Sequence, residues 1–433
     1  MSEILEADLT WFEGRFRPNV RIAVGGDGRI ERVGPFLERP THRLAGRALL
    51  PGFVNVHSHA FQRGLRGRGQ AFPAGQGDFW IWRESMYALV EEMDAPRLHA
   101  LSLQAFREML AAGITTVGEF HYLHHDRTLA GYGFDRVIRE AAREAGIRLV
   151  LLQTYYRTGG VGRPLEGAQR RFAVSGPSEY WDQFDRLAEE LDPRLESLGA
   201  VVHSIRAASL ADLVAVHAES ARRGLVFHMH VEETAKELDE CRAVHGRTPM
   251  RILLDELALD ARFTAVHGTQ TERAELAAFL ATGAVLCACP TTEGNLGDGI
   301  AELAQVCANA RGFEGRLALG SDSNERISMF EEMRWLEFAQ RLQEERRGCL
   351  RDGRGDVARV LLDAATKNGA QSLGIEAGEI HAGAWADFVA VDLSAAALSG
   401  VTAETLPAAL VFGCGEDVIA GVAVGGRWLR GPS

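Results

Sequence analysis

The chain has 433 residues, 46% of them apolar and 24% charged, with a formal net charge of −12. That composition suits a globular protein with a sizeable core. The acidic balance argues against nucleic acid or an anionic membrane surface as a partner, because both reward a basic face, and an anionic small molecule would need local arginines.

The N-terminal stretch MSEILEADLTWFEGRF is acidic and broken by charges, without the basic and apolar regions of a secretory signal. It opens a segment, residues 1–48, that contains VRIAVGGDGRIERVG, where GGDG between alternating runs signals a hairpin. From LLPGFVNVHSHA, starting at residue 49, to LGSDS, ending at residue 323, eight short apolar or β-branched runs alternate with helix-like segments. Four of those segments, RLHALSLQAFREMLAAG, FDRVIREAAREAG, LADLVAVHAESARRG and ERAELAAFLATG, carry apolar residues at three- and four-residue spacing and close on glycine. Residues 376–433 return to short strands, ADFVAVDL and DVIAGVAVGGRWLR.

Eight strands apolar on both faces and separated by helices predict a (β/α)8 TIM barrel, with an open doubly wound sheet as the competing fold. The expected organisation is a catalytic barrel over 49–375 and a small composite β-sandwich domain built from 1–48 and 376–433. No run reaches the roughly 18 apolar residues of a membrane span. The six cysteines (Cys241, Cys287, Cys289, Cys307, Cys349, Cys414) fall mostly inside apolar runs and read as free thiols. Together these features predict a cytoplasmic protein.

In such a barrel the side chains at the carboxyl ends of the strands converge on one mouth. His57 and His59 end the first run, His203 and then Arg206 the fourth, His228, His230 and Glu233 the fifth, His267 the sixth and Asp322 the eighth. Side chains at i and i+2 of a strand share a face, so His57 and His59 make half a metal site. A lone His-X-His pattern carries little weight against core histidines. Its coincidence with His230, His267 and Asp322 at the ends of other strands carries more. Imidazoles with one carboxylate suit zinc, with iron or manganese as alternatives, better than calcium or magnesium. Such a metal generates a hydrolytic nucleophile at neutral pH.

Other motifs read as structural. DFWIWRESMY is expected as a helix covering the core, HYLHHD as a solvated loop rather than a second metal cluster, since it has no carboxylate partner, and Cys287 with Cys289 as a pair too few for a structural zinc site.

PGFVNVHSHAF, HMHVEE, VHG and LGSDS resemble the amidohydrolase superfamily. The inner motifs HSHAFQRGLRG, DFWIWRESMY, EFHYLHHD, GAQRRF, HSIRA, HMHVEE, TTEGNLGDGI, LGSDS and EEMRWLEFAQRLQ are similar to those of its N-formimino-L-glutamate deiminases, over nearly the whole chain. The resemblance implies one metal ion per subunit held by His57, His59, His230 and Asp322, with His230 preferred to the deeper His228. It implies Glu233 as a proton carrier, Asp322 as a proton acceptor and His267 as the group that polarises the tetrahedral intermediate. Against these stand a surface carboxylate for Glu233 and a buried barrel histidine for His267. A dicarboxylate substrate would be held by Arg206 and by Arg83, in the connection after the first strand. Gln62 and Tyr122 would add hydrogen bonds and His203 would contact the formimino end; strand parity leaves open whether Tyr122 or His121 faces inward. A homodimer is also implied. Two other functions compete: a deaminase of a purine, pyrimidine or guanidino compound, and a non-catalytic assembly protein on the same scaffold.

Overall fold

The computed structural model describes residues 2–35, 38–68, 70, 72, 79–129, 131–307 and 313–432. Five strands come first: β1 (Glu3–Phe12), β2 (Arg15–Arg17), β3 (Arg21–Val24), β4 (Ile30–Gly34) and β5 (His42–Pro51). The GGDG segment closes the β3–β4 hairpin, with Gly28 at φ 84°. Eight parallel strands follow: β6 (Phe53–Ser58), β7 (Ile114–His121), β8 (Arg148–Tyr155), β9 (Glu196–Val202), β10 (Phe227–Val231), β11 (Phe263–His267), β12 (Val285–Ala288) and β13 (Leu317–Leu319). The chain ends with β14 (Phe388–Asp392), β15 (Ile419–Val424) and β16 (Arg427–Arg430).

Strands β6 to β13 pair in chain order, and a parallel bridge between Ser58 and Asp322 closes the sheet into the expected barrel. Both faces of these strands are buried, one filling the barrel and one against the helices, which is why they read as apolar runs without alternation. The four segments predicted to stop at glycine are helices at Ala95–Ala111, Gly133–Ala145, Leu210–Arg222 and Arg273–Ala281. Gly113, Gly146, Gly224 and Gly283, which follow them, all have positive φ, the left-handed turn that lets the chain leave a helix without a Cβ penalty.

The two chain ends meet on β5, which pairs in parallel with β1 and antiparallel with β14. The run read as one strand from residue 49 is two: Leu49, Leu50 and Pro51 pair with β14 in the terminal sheet, and Phe53 opens the barrel. Gly52 allows the crossing, since a Cβ there would lie 2.0 Å from Thr115 Oγ1.

Candidate metal centre and substrate chamber

The seam that closes the barrel brings His57, His59 and Asp322 together. The His59 N–H donates to the Asp322 carbonyl at 2.9 Å, and the Asp322 N–H donates to the His57 carbonyl at 3.0 Å. Asp322 and Asn324 have φ values of 45° and 59°. The Asn324 amide holds this strained turn by donating to Ser58 Oγ and to the carbonyls of His59 and Asp322, each at 3.1 Å.

His230, at the end of β10, completes the group, and the ligand atoms of His57, His59, His230 and Asp322 all lie within 4.8 Å of one another. Asp322 Oδ1 is 3.2 Å from His57 Nε2 and 3.3 Å from His59 Nε2. His59 donates its Nδ1–H to the Phe120 carbonyl and His230 its Nδ1–H to the His203 carbonyl, each at 2.9 Å. Those bonds turn both Nε2 lone pairs toward the centre. Burial, reinforced by His57, pushes His59 down to about 3, and burial with the neighbouring imidazoles holds His230 well below its ordinary value. Burial alone would raise Asp322, but the surrounding histidines hold its carboxyl well below the usual carboxylate range. Neutral imidazoles facing one carboxylate, with His230 Nε2 only 3.1 Å from His57 Nε2, form a donor set suited to a divalent metal ion.

Beside this cluster stand Glu233 and His267. His267 has φ 76°; its Nε2 is 3.7 Å from Glu233 Oε1 and 4.0 Å from Asp322 Oδ2, and has no hydrogen-bond partner among the described residues. Burial disfavours its cation, but the carboxylates of Glu233, Glu293 and Asp322 outweigh that and push His267 up to about 10. Glu233 is buried, as is Arg206, whose Nη2 donates to Glu233 Oε2 at 3.3 Å and whose Nε lies 3.5 Å from Glu237 Oε2.

One chamber opens over the cluster, and Gln62, Arg83, Tyr122, His203 and Arg206 all line it, together with His59, His230, Glu233 and Asp322. Its remaining walls are Phe79, Trp82, Met86, Tyr87, Tyr156 and Phe172. Arg83 sits on the helix α1 (Phe79–Glu92) within the connection after β6, its Nη2 3.4 Å from the Tyr156 hydroxyl. Arg206 Nη1 is buried with no partner among the described residues. Tyr122 faces the chamber, accepting from Gln62 Nε2 at 2.8 Å, whereas His121 points away to Asp135. His228 donates to the Ser372 carbonyl at 3.0 Å, outside the cluster.

Residues 48–429 match the model of the Amidohydrolase family. The chain belongs to this family. It is therefore an enzyme, a hydrolase acting on carbon–nitrogen bonds. A formimidoylglutamate deiminase of Pseudomonas aeruginosa is 37% identical over 417 residues, covering 95% of this chain and 91% of its own length. A 5-methylthioadenosine/S-adenosylhomocysteine deaminase of Archaeoglobus fulgidus is 26% identical over 89% of this chain and 84% of its own. Among solved structures, an amidohydrolase from Brucella melitensis superposes with TM-score 0.87 at 30% identity, covering 99% of this chain and 94% of that one.

Three features of this amidohydrolase depart from or extend the sequence reading. HYLHHD is not solvated: His121, His124 and His125 are buried. Their carboxylate partner is Asp135, at the start of the helix Gly133–Ala145, accepting from His121 Nε2 at 3.0 Å and His124 Nδ1 at 2.8 Å. The aromatic wall residues carried no spacing signal. Glu293, whose Oε1 accepts from His267 Nδ1 at 3.3 Å, was also missed; its signal is the Cys-Pro-Thr-Thr-Glu start of the helix Pro290–Leu296. The six cysteines are free and buried, and no described helix is long and apolar enough to cross a membrane.

Proposed function

We propose that this protein hydrolyses N-formimino-L-glutamate to N-formyl-L-glutamate and ammonia. The observation that carries the reading is a four-donor metal cluster and two buried arginines, Arg83 and Arg206, lining one chamber. The 37% identical deiminase of Pseudomonas aeruginosa supports it. His57, His59, His230 and Asp322 hold one zinc ion, with iron or manganese as alternatives. Bound there, the metal supplies Lewis acidity and makes water nucleophilic at neutral pH.

The chain's own residues do the rest. Arg83 and Arg206 clamp the two carboxylates, which fixes the formimino carbon over the cluster. Gln62 and Tyr122 add hydrogen bonds and His203 contacts the formimino nitrogen. The formimino group enters as its protonated amidine, so its nitrogen already carries two hydrogens; Glu233 takes a proton from the attacking water and delivers it to that nitrogen, which leaves as ammonia when the C–N bond breaks. Asp322 accepts the second proton of the water. The free Nε2–H of His267 steadies the charge that develops on oxygen during attack.

The aromatic walls would also suit a planar base, the substrate class of the methylthioadenosine deaminases. A neutral base would leave Arg206 Nη1, which has no partner among the described residues, still unpaired, and that disfavours it. Ammonia release from N-formimino-L-glutamate and from 5′-methylthioadenosine, measured side by side on metal-analysed protein, decides. Release from the first alone, abolished by chelation and restored by metal, is expected. Release from the second alone overturns the reading, and protein without metal or turnover returns it to a non-catalytic scaffold.

A further inference from the structure

The segment Thr291-Thr292-Glu293, just after β12, belongs to no role assigned above, yet each of its side chains reaches another part of the mouth. Thr291 O–H and N–H are both taken by the buried Glu332 carboxylate. Thr292 Oγ1 donates to the Ser321 carbonyl at 3.2 Å and lies 3.1 Å from Ser323 Oγ, so it grips the turn that carries Asp322 from both sides. Glu293 Oε1 accepts the Cys289 N–H at 2.8 Å and the His267 Nδ1–H at 3.3 Å.

Glu293 is itself held firmly. Its backbone carbonyl accepts from the N–H groups of Gly297 and Asp298, each at 3.0 Å, and the bond from Cys289 N fixes its carboxylate. His267 needs such a partner, because its backbone is strained at φ 76° and a ring that donates from both nitrogens keeps one N–H on the site only if the other is held.

We propose that Glu293 is a positioning residue for the hydrolytic reaction: by accepting the Nδ1–H of His267 it fixes that ring's orientation and keeps its Nε2–H aimed between Glu233 and Asp322. The proposal rests on the catalytic role given to His267 above. Glu293 is not among the residues that line the chamber; it acts through the imidazole, as carboxylates that orient histidines do elsewhere.

The test uses metal-loaded enzyme carrying Glu293→Gln, Glu293→Ala, His267→Asn, and Glu293→Ala combined with His267→Asn. Metal content and melting temperature are recorded for each, alongside ammonia release and the ¹⁵N resonances of the His267 ring. Glu293→Ala is expected to lower kcat 10- to 100-fold. KM should stay within about threefold of wild type, because only an interaction made during the chemical step is lost. Glu293→Gln, which keeps an acceptor oxygen, should fall between the two and fold normally if the alanine variant does not. In the His267→Asn background the alanine should cost less than about twofold more, because the two residues act as one unit. The His267 Nδ1 resonance should lose its hydrogen-bonded shift in the alanine variant. An unchanged resonance and unchanged kcat overturn the proposal, as does a full additive loss in the double variant, which marks a packing role. Wild type that releases no ammonia from N-formimino-L-glutamate while the resonance still moves would refute the substrate reading and leave the positioning role standing.

Discussion

At the scale of single residues, Arg206 shows how recognition and stability share one side chain. Its guanidinium lines the chamber and also lies between two buried carboxylates, Glu233 and Glu237. Arg206→Met should therefore raise KM for the dicarboxylate by roughly one to three powers of ten. It should also destabilise the fold by about 3–5 kcal/mol, because Glu237 is left buried and unpaired. Steady-state kinetics and thermal melts check both, and an unchanged KM removes Arg206 from carboxylate binding. Glu119 makes a pH prediction. Burial pushes it from its ordinary 4.5 up to about 8, against the Ala60 N–H and Ser58 hydroxyl that favour its anion. A raised folded pKa means that the folded state holds the proton more tightly. Its contribution is complete below about pH 4.5 and disappears as pH rises through 8. Melts from pH 5 to 9 should show Glu119→Gln gaining on wild type as pH rises; parallel curves would contradict the assignment.

At the scale of elements, the barrel seam is packed backbone against side chain. A Cβ on Gly320 would lie 2.7 Å from His57 Cβ, 2.9 Å from the His57 carbonyl oxygen and 3.1 Å from Cys289 Sγ. Gly320→Ala must then push His57 off its position, and metal affinity should drop about 10- to 100-fold while the helical content is kept. Equilibrium dialysis against metal measures this, and an unaltered affinity would show that the seam yields elsewhere. The helix ends were legible because a glycine stop is a local signal. The pairing of HYLHHD was not, because Asp135 arrives from the next helix, and no spacing rule says that its side chain turns back onto β7.

At the scale of the whole molecule, one ion pair fastens the terminal sheet to the barrel. Arg148, at the start of β8, donates through Nε and Nη2 to Asp387 at 2.8 and 3.0 Å, and its guanidinium lies 4.1 Å from the centre of the Trp385 ring. Asp387 also accepts from the Gly425 N–H at 2.7 Å, in the turn between β15 and β16. Both charges are buried. Asp387→Ala leaves the arginine without its counter-charge and should cost about 3–5 kcal/mol. Calorimetry or denaturant titration reads this loss, and a stability within 1 kcal/mol of wild type would mean that water replaces the carboxylate.

The amino-acid sequence by itself determined the alternation of strand and helix, the histidines at the strand ends and the short strands of both chain ends, because periodicity, glycine stops and turn pairs act over a few residues. Only the tertiary structure decided that β5 and β6 part at Gly52, that Tyr122 rather than His121 faces the chamber, and that Glu293 meets His267. Those outcomes depend on which face of a strand closure turns inward and on which distant backbone lies opposite. Neither is set until the eighth strand has come round to the first.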